Sequence, residues 1–224
     1  MPARHAVTAQ LRLPLQRSVP PRADDFVLSD SNRAAWQALQ GWPKAAGGVL
    51  AICGPAGSGK SHLAAIWAEA AGAVSLDGAE AALADPMELE GRAVLLDRAQ
   101  DADDESLFHL INLAQSGGGA LLLVSRAAPA TWATALPDLR SRLDAVMTVA
   151  IDEPDDAVLA AILGARFAER SITPGGEVID YLVHRIDRSA AAAAAVVDRL
   201  DADPRPVTRT TTRLVLEAGD DLFP

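Results

Sequence analysis

The feature that most constrains this chain is an eight-residue glycine-rich segment with the pattern G-x-x-x-x-G-K-[ST]. It directly follows the apolar run Gly48–Cys53 and opens the helical pattern of Lys60–Ala71. A strand, a glycine turn and a helix in that order let backbone N–H groups surround phosphate oxygens at the positive end of the helix dipole. The spacing predicts a nucleotide-binding phosphate loop of these residues: Gly54, Pro55, Ala56, Gly57, Ser58, Gly59, Lys60, Ser61.

Two side chains of the loop and one acid further along the chain predict the bound species. Lys60 would reach the β- and γ-phosphates, and the Ser61 hydroxyl would hold Mg²⁺. The apolar run Ala93–Leu96 ends in Asp97, which is placed to orient the same Mg²⁺ ion. The predicted cofactor is therefore ADP or ATP with Mg²⁺. Arg98 stands where a hydrolysing ATPase usually carries a second acid, so we expect little or no intrinsic ATPase activity.

The alternation of patterns predicts an α/β fold. Continuous apolar runs at 48–53, 93–96, 120–124 and 145–151 are typical of strands buried in a central parallel sheet. Helical spacing over Lys60–Ala71 and Asp104–Ser116 alternates with these strands. Beyond residue 151 only helical patterns remain, and they predict a small all-helical domain with helices at 157–170, 175–185, 189–200 and 209–219.

Charge and composition narrow the function classes. The net charge of −10 argues against a broad basic face that wraps duplex DNA, and a single cysteine excludes a cysteine-rich metal cage. No apolar run reaches the ~18 residues of a membrane span, so we expect a cytoplasmic protein. Four arginines, four prolines and no acid in the first 23 residues predict a flexible arm. The predicted domains are 1–23 (arm), 24–152 (α/β nucleotide-binding domain) and 153–224 (helical lid).

Three further segments resemble the AAA+ ATPases of the DnaA/Hda family. The segment Phe26–Asn32 resembles the one that precedes their first strand and packs near the adenine. Leu122–Ser125, followed by Pro129, resembles their sensor 1 region. The stretch Leu139–Leu143 resembles their L-x-S-R-[FL] box. With the phosphate loop, the resemblance covers residues 24–217 and implies an AAA+ core followed by a helical lid.

The resemblance also implies roles for individual residues. Ser125 takes the polar sensor 1 position and Arg188 the lid position that contacts the nucleotide. Arg142 becomes an arginine finger that acts in trans, at the nucleotide site of a partner. For Arg140, a partner contact and a solvated charge remain equal alternatives.

Within this family the chain most resembles the Hda branch, whose members regulate replication initiation negatively. The interval from Ser61 to Asp97 is short for the single-strand-binding insertions of an initiator, and we expect no helix-turn-helix domain after Pro224. The arm carries a segment similar to the Q-L-x-L-P-L clamp-binding peptide of Hda proteins. Its predicted clamp contacts are Gln10, Leu11, Leu13, Pro14 and Leu15.

These resemblances imply a regulator that binds ADP or ATP, docks on the DNA-loaded sliding clamp (the β subunit of DNA polymerase III) and stimulates ATP hydrolysis by DnaA. The implied partners are DnaA and the clamp. A homodimer is a further expected partner, and we expect neither direct sequence-specific DNA binding nor membrane association. Through the clamp the protein would associate with the nucleoid. Two alternatives stay open: an autonomous AAA+ ATPase or helicase loader, and a clamp adaptor whose nucleotide site is vestigial.

Overall fold

The computed structural model describes residues 26–42, 48–116 and 118–220. The predicted clamp-binding residues 10–15 lie outside these ranges. The α/β part contains helices α1 (Arg33–Gly41), α2 (Lys60–Ala71), α3 (Pro86–Leu89), α4 (Asp104–Ser116) and α5 (Pro137–Asp144). Its strands are β1 (Gly48–Cys53), β2 (Val74–Asp77), β3 (Ala93–Asp97), β4 (Ala120–Ser125) and β5 (Met147–Ala150). The helical part follows as α6 (Asp156–Glu169), α7 (Gly176–Val183), α8 (Ala190–Ala202) and α9 (Arg209–Asp220).

In the described part of the chain, the strands form one parallel sheet in the order β2-β3-β4-β1-β5. Strand β4 therefore separates β1, which leads into the phosphate loop, from β3, which ends in Asp97. The register pairs Cys53 with Ser125, so these two strands end side by side. Because all strands are parallel, the residues that follow them meet at one edge of the sheet.

Helices cover both faces of the sheet. On one face, α1 and α2 pack through Leu39, Leu63 and Trp67 against β1 and β4. On the other face, α4 and α5 pack through Ile111, Leu139 and Leu143. Every residue of β4 is buried, which is why its sequence shows a continuous apolar run and no alternation. The result is a three-layer α/β/α domain that confirms the predicted fold class.

The helices after β5 have their own hydrophobic core. Leu159, Leu163 and Phe167 of α6 are fully buried against Leu182 of α7 and Val197 of α8. The alanine-rich start of α8 suits this packing, since small side chains let α6 approach closely. The Ser189 hydroxyl accepts a hydrogen bond from the Ala192 N–H, and so caps the helix that the sequence pattern predicts.

The sequence predictions agree with most of these elements. The bounds of α2 and α4 are those predicted, and the further strand expected within 145–151 is β5, Met147–Ala150. The structure adds β2 and the helices α1, α3 and α5, which the sequence analysis did not predict. None of the helices in the described part of the chain has the length and apolar character that a membrane crossing requires.

Candidate functional site

The glycine-rich segment forms a loop between β1 and α2, as the motif predicts. Helix α2 begins at Lys60, directly after the loop, and has no acidic residue in its first turn. The Lys60 side chain is largely buried and folds back over the loop, where its ammonium group donates hydrogen bonds to the Pro55 carbonyl (2.5 Å) and the Ser58 hydroxyl (3.3 Å). Ser61 is exposed at the start of the helix. The loop thus presents an ammonium group, a hydroxyl and a helix N-terminus to one region of space.

Two glycines of the loop lie so close to other segments of the chain that a side chain at either position would clash. A Cβ atom at Gly54 would lie 2.1 Å from the carbonyl oxygen of Ile151. At Gly57, whose φ is +76°, a Cβ atom would lie 2.9 Å from the Cβ of Ser189. The carbonyl of Gly57 also accepts a hydrogen bond from the Ala190 N–H (3.4 Å). These two positions therefore require glycine, and the loop contacts both the residue that follows β5 and the N-terminus of α8.

Asp97 lies at the end of β3, on the same edge of the sheet as the loop. Its carboxylate accepts a hydrogen bond from the backbone N–H of Arg98 (2.8 Å). Arg98 has a left-handed backbone (φ 51°), and its guanidinium donates two hydrogen bonds to the carboxylate of Asp77 at the end of β2. The Arg98 guanidinium holds the pKa of the Asp77 carboxyl below its usual range. The Arg98 guanidinium is therefore paired with the carboxylate of Asp77, at the end of the neighbouring strand β2.

Acids further along this segment stabilise local structure. Asp103 accepts a hydrogen bond from the Ser106 N–H (2.9 Å) and caps α4. Asp104 accepts hydrogen bonds from the Thr134 hydroxyl and the Ala135 N–H, which tie α4 to the segment before α5. Both carboxylates therefore stabilise the start of α4 and the segment that precedes α5.

The residues after β4 lie between the loop and Asp97. Ser125, the predicted sensor 1 residue, is 2% exposed, and its hydroxyl donates to the Ala127 carbonyl (2.7 Å). The indole N–H of Trp132 donates to the same carbonyl (2.9 Å), so the bend after the strand is held from two sides. Burial lowers the pKa of Lys60; the charge of Asp97 opposes this shift and the charge of Arg126 adds to it.

The predicted lid arginine, Arg188, lies at the N-terminus of α8, one residue before the Ser189 cap. Its guanidinium donates to the Asp156 carboxylate (2.6 Å) and to the Pro154 carbonyl (3.1 Å), both near the start of α6. Arg188 thus connects two lid helices beside the loop. Its predicted contact with a nucleotide remains a prediction.

The segment before α1 packs against the connection between the two domains. Asn32, which is buried, accepts a hydrogen bond from the Ser29 N–H and donates to the Val27 carbonyl. The Asp152 N–H donates to the Ser31 carbonyl (3.0 Å). These bonds fasten the segment that the resemblance assigned to the adenine site.

An aromatic group lies at the start of the same segment. The ring of Phe26 stacks on Trp36 at 5.1 Å, and its edge contacts the imidazole of His62, the residue after Ser61. The group therefore connects the segment before α1 with the first turn of α2, next to the phosphate loop.

The two arginines of α5 have different environments. Arg140 donates to the carbonyls of Ala130 and Trp132 and lies 3.6 Å from the Asp144 carboxylate, so it secures the preceding loop. Arg142 is half-buried; its guanidinium lies over the ring of Phe108 (5.1 Å) and donates to the Gln115 amide oxygen, both on α4. Among the described residues, Arg142 forms no ion pair with a carboxylate.

The geometry suits a nucleoside phosphate with Mg²⁺. Gly54 and Gly57 keep the loop free of side chains where it meets Ile151 and Ser189. The Lys60 ammonium group and the N–H groups of α2 supply donors for phosphate oxygens. A hydroxyl at Ser61 and a carboxylate at Asp97 are the oxygen ligands that Mg²⁺ prefers, with phosphate oxygens completing its coordination.

Sequence reasoning missed several residues that position this site. Ile151 and Ser189 contact the loop glycines, Asp156 holds Arg188, and Asp77 holds Arg98. None of these four contacts is local in sequence, so no motif could indicate them. Arg126, by contrast, stands next to the predicted sensor residue, and that position alone could have drawn attention to it.

Comparison with known proteins shows which sequences and folds this chain is similar to. No family model matches the chain. The chromosomal replication initiator protein DnaA of Chloroflexus aurantiacus is 29% identical over 121 residues, which are 52% of this chain and 25% of DnaA. Domain III of Thermotoga maritima DnaA superposes with a TM-score of 0.71 at 18% identity over 90% of this chain and 96% of the domain. AMPPCP-bound DnaA from Aquifex aeolicus superposes with a TM-score of 0.70 at 18% identity, over 90% and 70% of the two chains.

The chain shares the fold of domain III of the replication initiator DnaA. Over about half of its length it is also similar to DnaA in sequence. It spans about a quarter of the length of the curated DnaA proteins that it matches.

Proposed function

We propose that this chain is a nucleotide-bound negative regulator of replication initiation, of the Hda kind, which stimulates ATP hydrolysis by DnaA through Arg142. The observation that carries the proposal is the position of Arg142. It lies on α5, in the helical layer of α4, whereas the phosphate loop leads into α2 on the opposite face of the sheet. An arginine in that layer, without a carboxylate partner among the described residues, is available to a second protein's nucleotide.

The chemistry of an arginine finger fits this residue. Charge develops on the transferred phosphoryl group during hydrolysis, and a guanidinium placed beside it lowers the barrier. The ring of Phe108 and the Gln115 amide hold the Arg142 guanidinium without neutralising it. The ATP consumed would be that of DnaA, with this chain supplying the cation.

The nucleotide of this chain would have a structural role. ADP or ATP with Mg²⁺ would contact the loop, Lys60 and Arg188, and so join the α/β domain to the lid. Arg98 beside Asp97 supports slow turnover, because its guanidinium cannot activate water and is bound to Asp77. By resemblance, ADP is the favoured species.

Recruitment would depend on the arm. The segment of residues 10–15 offers an amide and three leucines, which suit an apolar groove on the clamp. Substitution of Gln10 and Leu13 by Ala should abolish retention on immobilised clamp and leave nucleotide affinity unchanged. Gln16→Ala, on the same arm, is the matched control. Retention of the doubly substituted protein at wild-type level would contradict the assignment of the arm.

A single-turnover assay tests the proposal. DnaA is preloaded with radiolabelled ATP, and its hydrolysis is followed with clamp on DNA, in the presence or absence of this protein. The proposal predicts acceleration that requires both the loaded clamp and Arg142. The control Arg166→Ala, which changes a partly exposed arginine of α6, should accelerate hydrolysis as the wild type does. Brisk ATP turnover by this protein alone would favour the alternative of an autonomous ATPase or helicase loader.

A further inference from the structure

Two of the eight arginines in the lid differ from the other six. Within the described residues 153–220, six of them have a side-chain partner in the lid, either a carboxylate or a backbone carbonyl: Arg166, Arg170, Arg188, Arg199, Arg205 and Arg213. Arg185 and Arg209 are exposed, and their side chains form neither an ion pair nor a hydrogen bond with a described residue. The described part of the lid therefore leaves two positive charges without a paired carboxylate.

These two arginines meet on one aromatic ring. The guanidinium carbon of Arg185, just after α7, lies 4.1 Å from the centre of the Tyr181 ring. That of Arg209, the first residue of α9, lies 5.6 Å from the same ring centre. The attraction between each cation and the ring holds two like charges close together, and their repulsion is relieved when an anion binds beside them.

The first turn of α9 adds to the positive potential at this cluster. Helix α9 has 12 residues, Arg209–Asp220, and no acidic residue in its first turn. Its N-terminus carries the partial positive charge of the helix dipole, and the exposed Thr210 adds a hydroxyl next to Arg209 in the chain. Arginine side chains, hydroxyl groups and helix N-termini are among the groups with which proteins bind the phosphates of DNA.

The chemistry of the cluster favours a phosphate backbone as its ligand. Since both guanidinium groups lie over the Tyr181 ring, the ring supports the cations and is not offered to a base for stacking. Contacts to phosphate alone carry no sequence information. We propose that Arg185 and Arg209 bind the phosphate backbone of duplex DNA, whatever its sequence.

The net charge of the chain limits the strength of this contact. At a net charge of −10 the protein as a whole repels DNA, so two arginines give weak, salt-sensitive binding. Such a contact suits a chain that another interaction already holds beside DNA, as the proposed docking on the clamp would. The inference goes beyond the proposed function, because the DNA contact would orient the lid on the duplex that passes through the clamp.

The fluorescence anisotropy of a labelled duplex of ~20 base pairs, titrated with the full chain at ~50 mM salt, tests the inference. The double variant Arg185→Gln/Arg209→Gln should bind DNA about 10-fold more weakly, and the slope of log Kd against log salt concentration should fall by about 2, since two phosphate contacts are lost. The double variant Arg185→Lys/Arg209→Lys keeps both charges and should keep most of the binding. The control Arg166→Gln removes a lid charge outside the cluster and should change Kd less than about twofold.

Three results would overturn the inference. The first is no detectable DNA binding by the unsubstituted chain at low salt, and the second is a Gln variant with the Kd and salt slope of wild type. The third is equal competition by polyglutamate at the same charge concentration, which would make the cluster a site for an acidic protein. Thermal unfolding and ADP affinity of the Gln variant should match wild type, which separates lost DNA binding from a folding defect and from the nucleotide site. Because the titration contains neither clamp nor DnaA, its failure is distinct from a failure of the single-turnover assay.

Discussion

The phosphate loop and helix α5 lie in the same domain but are built in different ways. The loop is enclosed by other segments, because Gly54 lies against the Ile151 backbone and Gly57 against Ser189. The Lys60 ammonium group folds back and donates to the Pro55 carbonyl of the loop. Helix α5 instead carries Arg142 on the outer layer of the domain, where its described side-chain contacts are with Phe108 and Gln115 of the adjacent helix. In the proposed function the loop binds this chain's own nucleotide, whereas Arg142 contacts the nucleotide of a partner.

Under the proposed function, one fold serves two nucleotide sites. Residues that build the enclosed loop should control this chain's own nucleotide affinity. The residue on α5 should control hydrolysis in the partner and leave that affinity unchanged. Substitutions in the two regions therefore have opposite expected profiles, and the following experiments test that separation from the largest effect to the smallest.

The largest effect is expected for Arg142→Ala. Loss of an arginine finger should reduce the stimulated rate of DnaA-bound ATP hydrolysis about 10³-fold, since the developing phosphoryl charge loses its cation. Single-turnover hydrolysis with clamp loaded on DNA measures this rate. If Arg142→Ala still stimulated hydrolysis within threefold of wild type, Arg142 would not be the arginine finger.

Lys60→Ala tests the phosphate loop, the other of the two regions compared. Removal of the ammonium group should weaken ADP and ATP binding ~10–100-fold, because charge-assisted hydrogen bonds to phosphate are lost. Fluorescence titration with a labelled nucleotide measures the change, and clamp retention of the same variant should be normal. Wild-type affinity in this variant would contradict the assignment of the loop.

Gly54→Ala tests how tightly the loop is enclosed. The new Cβ atom would lie 2.1 Å from the Ile151 carbonyl oxygen, so the free energy of unfolding should fall by about 1–3 kcal/mol. The matched control is Gly164→Ala in α6, where a Cβ atom meets nothing within 4 Å and the helix should gain about 0.5–1 kcal/mol. Urea unfolding of both variants measures the two changes in the free energy of unfolding. Equal and small changes would mean that the loop is not enclosed at this position.

The smallest effect concerns a surface pair of the lid, outside both regions. Hydrogen bonds from the side chain and backbone of Arg205 lower the pKa of Asp203 to about 2. Because the pKa is lower in the folded chain, the contribution to stability is complete well above the ordinary value of 3.8 and is lost as the pH falls through about 2. Asp203→Asn should therefore destabilise slightly at pH 7 and not at pH 2.

Thermal unfolding of Asp203→Asn at several pH values, with Asp180→Asn as an exposed control, measures this difference. Nucleotide affinity and DnaA stimulation should both stay at wild-type level in this variant. A loss of either would mean that the lid surface takes part in one of the two sites.

Sequence patterns predicted the α/β core because the relevant signals are local. The phosphate loop has a fixed spacing, and β1 and β4 are continuous apolar runs that only a doubly covered sheet explains. Helices α2 and α4 carry clear helical periodicity. Strand β2 was missed because Val74–Asp77 is a four-residue edge strand with alternating polar residues and no apolar run.

The site was predicted only in part, for a related reason. The motif identifies Lys60 and Ser61, but the close approach of Ile151 to Gly54 joins segments nearly a hundred residues apart and leaves no local trace. The conformation of Arg98 likewise depends on Asp77 in the missed strand. Contacts of this kind arise from tertiary packing, which periodicity does not report.

The nucleotide affinity of Arg142→Ala tests the central claim most directly. Dissociation constants for ADP and AMPPCP are measured with the full chain, beside wild type and Lys60→Ala. If Arg142 serves a partner's site, the Arg142→Ala values lie within about twofold of wild type while those of Lys60→Ala rise ~10–100-fold. A loss of 10-fold or more in Arg142→Ala would place this arginine in the chain's own nucleotide site and contradict the account.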